Sequence, residues 1–283
     1  MLLVALGPEA GARAGAAGNS CDPCLMPTAL ITGATSGIGL RFADRLADEG
    51  YDLILVARTA ARLAAVAADL TDSAGVRVEA IPADLGDVAD CDKIERRLGD
   101  AGNPVDLLVN NAGIGLYAGT FAEHAIADEE QLLAVNVRAV MRLTHAALGP
   151  MIARGSGDVL NVSSVASFAP DVAGPTYAAS KAWVTSFSEG LRAQLAGTGV
   201  RVTALAPGLV PTEFQQGAGV EPHAPGAFWL DPDDVVDTAL RDLRAGRGVS
   251  IPGVQYRALA LAMRLTPHRL YLPLARRVTQ RLT

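Results

Sequence analysis

A doubly wound α/β fold built on a mostly parallel, seven-stranded sheet is what this chain predicts, and three observations carry that expectation. From Thr28 onward, short apolar or β-branched runs alternate with longer amphipathic segments, as strands each followed by a helix would. Runs such as Leu53-Ile54-Leu55-Val56-Ala57 are continuously apolar, which suits strands covered by helices on both faces. A glycine-rich turn joins the first strand to the first helix. With 283 residues, 50% of them hydrophobic, and a mean hydropathy of +0.25, the chain can bury a large core as one domain.

In chain order, the first strand falls at Ala29-Thr32 and its helix at Gly39-Glu49, after the glycine turn. The run Leu53-Ala57 leads into a helical pattern over Ala60-Leu70, and Val76-Pro82 into one over Val88-Leu98. Leu107-Asn110 precedes a long helical stretch, Glu129-Met151, and Asp158-Val162 precedes Tyr177-Ala196. Arg201-Ala206, a helix over Pro232-Arg244 and a short Val249-Ile251 complete the sheet. This places the α/β domain over residues 28–254. Before it, residues 1–27 are Ala- and Gly-rich without organised period and read as a disordered extension, with Met26 an alternative start. After it, residues 255–283 form a basic amphipathic helical tail.

The formal net charge of -6 argues against nucleic acid as the main partner. The tail departs from that balance, with Arg257, Arg264, Arg269, Arg276, Arg277 and Arg281 and no acidic residue. Three cysteines make no disulfide framework, so a reducing, cytoplasmic setting is expected, and Cys21-Asp22-Pro23-Cys24 lacks the second pair or nearby histidine of a zinc site. His124, His145, His223 and His268 show no ligand spacing, so no metal is indicated. No apolar run reaches the roughly 18 residues of a membrane span. Asn161-Val162-Ser163 has the form of a glycosylation sequon but lies on an expected buried strand.

Two motifs carry chemistry. Tyr177 and Lys181 are four residues apart on an expected helix, so they share a face and the ammonium can lie beside the phenol. A charge about 4 Å away at intermediate dielectric is worth roughly 4 kcal/mol, enough to bring a phenol roughly three units toward neutrality, where general acid/base work is efficient. The second motif is Thr32-Gly33-Ala34-Thr35-Ser36-Gly37-Ile38-Gly39. Its glycines allow a tight turn and close approach to a pyrophosphate, whose charge is favoured at a helix N-terminus.

With these motifs in place the chain resembles a classical short-chain dehydrogenase/reductase with a Rossmann-type fold. The matching segments, in family order from Thr28 to Ile251, are Thr32-Gly33-x-x-x-Gly37-Ile38-Gly39, Asp84-Leu85, Asn110-Asn111-Ala112-Gly113, Asn136-Val137, Asn161-Val162-Ser163-Ser164, Tyr177-x-x-x-Lys181 and Pro207-Gly208. The resemblance implies that Tyr177 is the general acid/base, and that Lys181 lowers its pKa and bonds the nicotinamide ribose. Ser164 would orient the substrate oxygen, and Asn136 would hold a water linking Lys181 to solvent. Family spacing selects Ser164 over Ser163, and alternation along a strand turns the two side chains to opposite faces. Gly33, Thr35, Ser36, Gly37, Ile38 and Gly39 would surround the pyrophosphate and Asp84-Leu85 the adenine. Asn110, Asn111, Ala112 and Gly113 would line the ribose region, and Pro207, Gly208 and Thr212 would meet the nicotinamide carboxamide.

At the end of the second strand, where an acidic residue would bond the ribose 2′-hydroxyl of NAD, the chain has Ala57-Arg58-Thr59. An arginine here pairs with a 2′-phosphate, so NADP(H) is the predicted cofactor, unless Arg58 is an ordinary solvated charge. Residues 208–231, rich in Gly and Pro with Phe214, Phe228 and Trp229 and few charges beyond Glu213 and Glu221, form the expected substrate loop for an apolar carbonyl or alcohol. Those aromatics serve equally well as anchors of the loop to the core. The resemblance extends loosely to the hydroxysteroid and ketoacyl reductases, and it implies a homodimer or homotetramer joined through the helices of Asn136 and Tyr177. The tail suits an anionic membrane surface, closure of the substrate pocket or contact with another subunit. A cofactor-binding sensor or scaffold without chemistry is the alternative function, and an epimerase or dehydratase on the same fold is a third.

Overall fold

The computed structural model describes residues 26–116, 119–169, 174–213 and 226–265, and within them strand and helix alternate almost without exception. The elements are β1 (Thr28–Thr32), α1 (Gly37–Asp48), β2 (Asp52–Ala57), α2 (Ala60–Ala74), β3 (Val78–Pro82), α3 (Val88–Leu98), β4 (Leu107–Asn110), α4 (Ile126–Leu133), α5 (Val140–Arg154), β5 (Gly157–Val162), α6 (Pro175–Gln194), β6 (Val200–Leu205), α7 (Pro232–Arg244), β7 (Val249–Ser250) and α8 (Val254–Leu265). All seven strands pair in parallel, in the order β3-β2-β1-β4-β5-β6-β7. The chain thus builds outward from β1 to β3 and then crosses back to place β4 on the other side of β1. That reversal opens a crevice at the carboxyl ends of β1 and β4, where ligands of such sheets bind.

The continuous apolar runs are explained by the two layers they serve. Ile31, Leu55 and Val109 face Phe42 and Leu46 of α1 and Val235 and Leu240 of α7. Their neighbours Leu30, Ile54 and Leu108 face the opposite layer, built from Ile94 of α3 and Leu143 and Met151 of α5. Burying one such side chain contributes about 1.5–3 kcal/mol, and here the period-two alternation of a strand delivers apolar groups to both layers. β3 is the exception, an edge strand with most of its side chains at least partly exposed.

Several boundaries differ from expectation. The predicted helix Glu129-Met151 is a composite, because α4 widens into a π-helical turn, Ala134–Ala139, before α5 resumes. β3 starts at Val78 rather than Val76, since Val76 turns into the core before pairing begins. β5 starts one residue early, at Gly157, and ends at Val162 as expected, so the strand alternation invoked for Ser163 and Ser164 does not reach them. Of the expected disordered extension, residues 1–25 fall outside the described residues, as do 214–225 of the substrate loop and 266–283 of the tail. Among the described residues no helix is long and apolar enough to cross a membrane.

Between β4 and β5 the core is deliberately polar. Asn110 and Asn161 are register partners, and Asn110 Nδ2 donates to Asn161 Oδ1 (2.9 Å) and Thr144 Oγ1 (3.0 Å), while Asn161 Nδ2 donates to Ser188 Oγ (3.0 Å). All four residues are buried, and the chain of bonds ties α5 and α6 to the sheet directly below the crevice. Asn161→Ala strands two partners in a dry environment and is expected to lower the unfolding free energy by about 2–4 kcal/mol in urea titrations. A loss under about 0.5 kcal/mol would show that the network is dispensable.

Candidate active site

The turn after β1 is held open by backbone geometry that only glycine tolerates. Gly33 and Gly37 lie at positive φ, +66° and +54°, and a Cβ on Gly39 would sit 2.2 Å from the Gly33 carbonyl oxygen. Ser36 precedes α1 in extended conformation without a side-chain cap, and the helix has no acidic residue in its first turn. Uncapped N–H groups over a tight glycine turn suit a pyrophosphate, so these residues fit a dinucleotide. Thr32, which the sequence reading treated only as the start of the motif, stitches this turn to the end of β4. Its Oγ1 accepts from the backbone N–H of Asn111 and of Ala112, both at 3.0 Å. Asn111 Nδ2 returns two bonds, to the carbonyls of Thr32 (2.9 Å) and Gly33 (3.1 Å), so this amide is part of the scaffold that holds the glycine turn.

Tyr177 and Lys181 occupy adjacent turns of α6, both buried, with Lys181 Nζ 5.7 Å from the centroid of the phenol ring. Lys181 Nζ donates to the carbonyl of Val162 at the end of β5 (2.9 Å). Burial is what governs its titration, pulling the pKa from 10.5 down to about 8. Gly113 lies against the same ammonium, since a Cβ there would be 3.3 Å from Lys181 Nζ and from Asn136 Oδ1. Asn136, fully buried in the π-helical turn, accepts from the N–H of Ile114 (2.9 Å) and donates to its carbonyl (2.9 Å) and to Ser180 Oγ (3.2 Å). Its amide thereby pins residues 113 and 114 beside Lys181, and this work for its side chain was not foreseen. Helices widened in this way are frequent at functional sites.

The two serines divide as the strand ends. Ser163 is buried and committed, donating to the carbonyl of Lys181 (2.7 Å) and sharing a 2.7 Å bond with Thr185 Oγ1. Ser164 is only partly buried and accepts from the N–H of Ala166 (3.1 Å), opening a short 3-10 turn, Val165–Phe168. Ala166 of that turn packs on Tyr177, together with Leu132, Ile114 and Leu116. Val165 N–H donates to the carbonyl of Pro207 (3.0 Å), which brings the Pro207-Gly208 step alongside.

The residues expected to meet the cofactor farther out are less uniform. Arg58 is exposed and has no ion pair among the described residues. Asp84 Oδ1 accepts from the N–H of Gly86 (2.9 Å), whereas the side chain of Leu85 is buried in the core beside Cys91, leaving only its backbone for a ligand. The Thr212 side chain lies against Gly37, so the start of the substrate loop covers the glycine turn. Ile38 packs against the α1 side of the core.

Tyr256 is a residue that sequence reasoning missed. Its ring fills the space a side chain would need at Gly208, where a Cβ would sit 2.0 Å from the ring. Its hydroxyl accepts from Leu209 N–H (3.0 Å) and donates to the carbonyl of Phe228 (2.7 Å), clamping the two ends of the loop, which also meet in a parallel bridge between Leu209 and Trp229. Burial holds this phenol above its ordinary pKa, keeping it a donor. Arg264 lies over the Phe168 ring at 4.9 Å and Met263 packs on Ala169, so α8 covers the turn after Ser164 as well as the loop base.

Fold and site together define a parallel-sheet protein with a glycine turn that fits a dinucleotide at the sheet's switch point and a buried Tyr-Lys pair beside it, at the end of β5. The chain belongs to the short chain dehydrogenase family, whose profile matches residues 27–221, and it is an oxidoreductase of that family. It is similar to a serine 3-dehydrogenase of Agrobacterium fabrum, 40% identical over 187 residues that cover 66% of this chain and 73% of the relative. Among solved structures it resembles a short-chain dehydrogenase from Sphingobium yanoikuyae in complex with NADPH, with a TM-score of 0.78, 37% identity and coverage of 86% and 97% of the two chains. It also resembles the bulky-bulky ketone specific alcohol dehydrogenase from Comamonas testosteroni, with a TM-score of 0.74, 31% identity and coverage of 88% and 99%.

The Tyr256 clamp separates steric from hydrogen-bonding contributions. Tyr256→Phe keeps the ring and is expected to destabilise by about 1–3 kcal/mol, while Gly208→Ala drives a methyl into that ring and should cost more, both read by urea unfolding. A neutral Gly208→Ala would show that α8 is not seated on the loop base.

Proposed function

We propose that this chain is an NADP(H)-dependent oxidoreductase that moves a hydride between the nicotinamide and the carbonyl or secondary alcohol carbon of an apolar substrate. The observation that carries the reading is the buried Lys181 ammonium beside the Tyr177 ring, at the strand end toward which the glycine turn also opens. Gly33, Ser36, Gly37 and the first turn of α1 would hold the pyrophosphate, Arg58 the 2′-phosphate, and Pro207-Gly208 the nicotinamide end. When bound, the cofactor supplies or accepts the hydride at its nicotinamide ring.

The protein's own part is proton handling and positioning. In the reducing direction Tyr177 Oη gives its proton to the substrate oxygen, and the Lys181 cation favours the phenolate left behind. Ser164 Oγ, at the mouth of the 3-10 turn, orients that oxygen. Asn136 and Gly113 hold the wall against which Lys181 lies, and the NADPH complex of the Sphingobium neighbour supports the choice of cofactor.

The apolar side chains packed with Tyr177 are Ile114, Leu116, Leu132, Ala166 and Ala178. That wall favours a bulky ketone, the substrate class in the name of the Comamonas neighbour, over a zwitterion such as the one in the name of the Agrobacterium relative. Coverage of the site by α8 supports the pocket-closing role of the tail's first part.

Tyr177→Phe should lower turnover by about 10²–10⁴-fold in assays of NADPH consumption with bulky ketones, while NADPH affinity by fluorescence titration stays within about twofold. Unchanged turnover would sink the mechanism, and tight NADPH binding with no consumption across steroids, 3-ketoacyl thioesters and small aldehydes would favour a sensor.

A further inference from the structure

Arg62 and Glu213 are 151 residues apart in sequence and form a two-pronged ion pair, Nη1 to Oε2 at 2.8 Å and Nη2 to Oε1 at 2.5 Å. Arg62 stands in the first turn of α2, just beyond Arg58, in a helix whose first turn has no acidic residue and whose Thr59 supplies no side-chain cap. Glu213 directly follows Thr212, whose side chain covers Gly37 of the glycine turn. The pair therefore spans from the adenosine-ribose side of the groove to the segment lying over the pyrophosphate side. Both side chains are about half exposed, at 45% and 54%, so water competes with the bond and the partners exchange readily.

A guanidinium fork matches phosphate as well as it matches carboxylate, and a phosphate monoester near neutral pH carries more charge than a carboxylate. We propose that Arg62 is a second determinant of NADP over NAD, and that Glu213 holds its guanidinium until the 2′-phosphate takes it. Glu213 is then a built-in competitor for the phosphate site. NADP binding releases the first residue after Thr212 from α2, and NAD binding, lacking the phosphate, leaves the ion pair in place. The pair thus couples the cofactor's 2′-substituent to the start of the substrate loop. This inference rests on the NADP reading above.

The test is the affinity of the full-length chain for NADPH and for NADH, by fluorescence titration, in wild type, Arg58→Ala, Arg62→Ala and Glu213→Gln. Arg62→Ala should weaken NADPH about tenfold or more and leave NADH within about twofold, since a charge-assisted bond to the phosphate is lost. Glu213→Gln should tighten NADPH several-fold and leave NADH unchanged, because it removes only the competitor. Glu213→Gln weakening both cofactors would make the pair a clasp over the dinucleotide and overturn the proposal. Equal effects of Arg62→Ala on both cofactors, or none on NADPH, would overturn it too. A wild type without NADPH preference refutes the NADP reading itself, whereas a preference that depends on Arg58 alone refutes only the role of Arg62.

Discussion

A lysine ammonium removed from water, with the Val162 carbonyl as its hydrogen-bond acceptor, is the constraint on which the site depends. Burial disfavours the charged form, so the folded pKa, about 8, lies below the ordinary 10.5. A lysine depressed in this way weakens the fold below about pH 8, and the penalty fades as pH rises from there toward 10.5, because across that window the unfolded chain binds the extra proton. The protein carries this penalty at neutral pH for a reason that the neighbouring ring supplies. A cation in a dry place acts on an adjacent phenol far more strongly than one in water, and a phenolate there would in turn restore the charge on Lys181.

Holding that cation requires the ends of four strands to converge. Thr32 and Asn111 bind the glycine turn to the end of β4, Asn110 and Asn161 join β4 to β5, and Val165 joins the turn after β5 to Pro207 beyond β6. Each link is a polar group satisfied in the interior, so loss of one leaves an unpaired partner and reaches its neighbours. The glycine turn and the Tyr177–Lys181 pair are therefore one mechanical unit. α8 is seated on its outer rim by Tyr256.

What the sequence made legible was local geometry. The four-residue spacing of Tyr177 and Lys181 fixes a shared helix face whatever surrounds it, and glycines between a strand and a helix announce a tight turn. The continuous apolar strands foretold two helical layers because their residues must satisfy both. What stayed hidden depends on distant partners. No local pattern marks the Thr32 hydroxyl as a stitch to β4, the π-helical widening at Asn136, or the fit of the Tyr256 ring to the bare Gly208. The Arg62–Glu213 pair is hidden for the same reason, since both look like solvated charges until the fold brings them together. The choice of Ser164 over Ser163 rests on family spacing with strand alternation as added support, yet the two side chains separate because β5 has already ended and Ser163 is drawn to the Lys181 carbonyl.

The buried cation is open to direct observation. Titrating the cofactor-free chain with isotope-labelled lysine, and following the Lys181 signal by nuclear magnetic resonance with Lys181→Met to assign it, should give a midpoint near pH 8. A midpoint at the ordinary lysine value of about 10.4 would mean that Lys181 is solvated, and would contradict a site built around a desolvated ammonium.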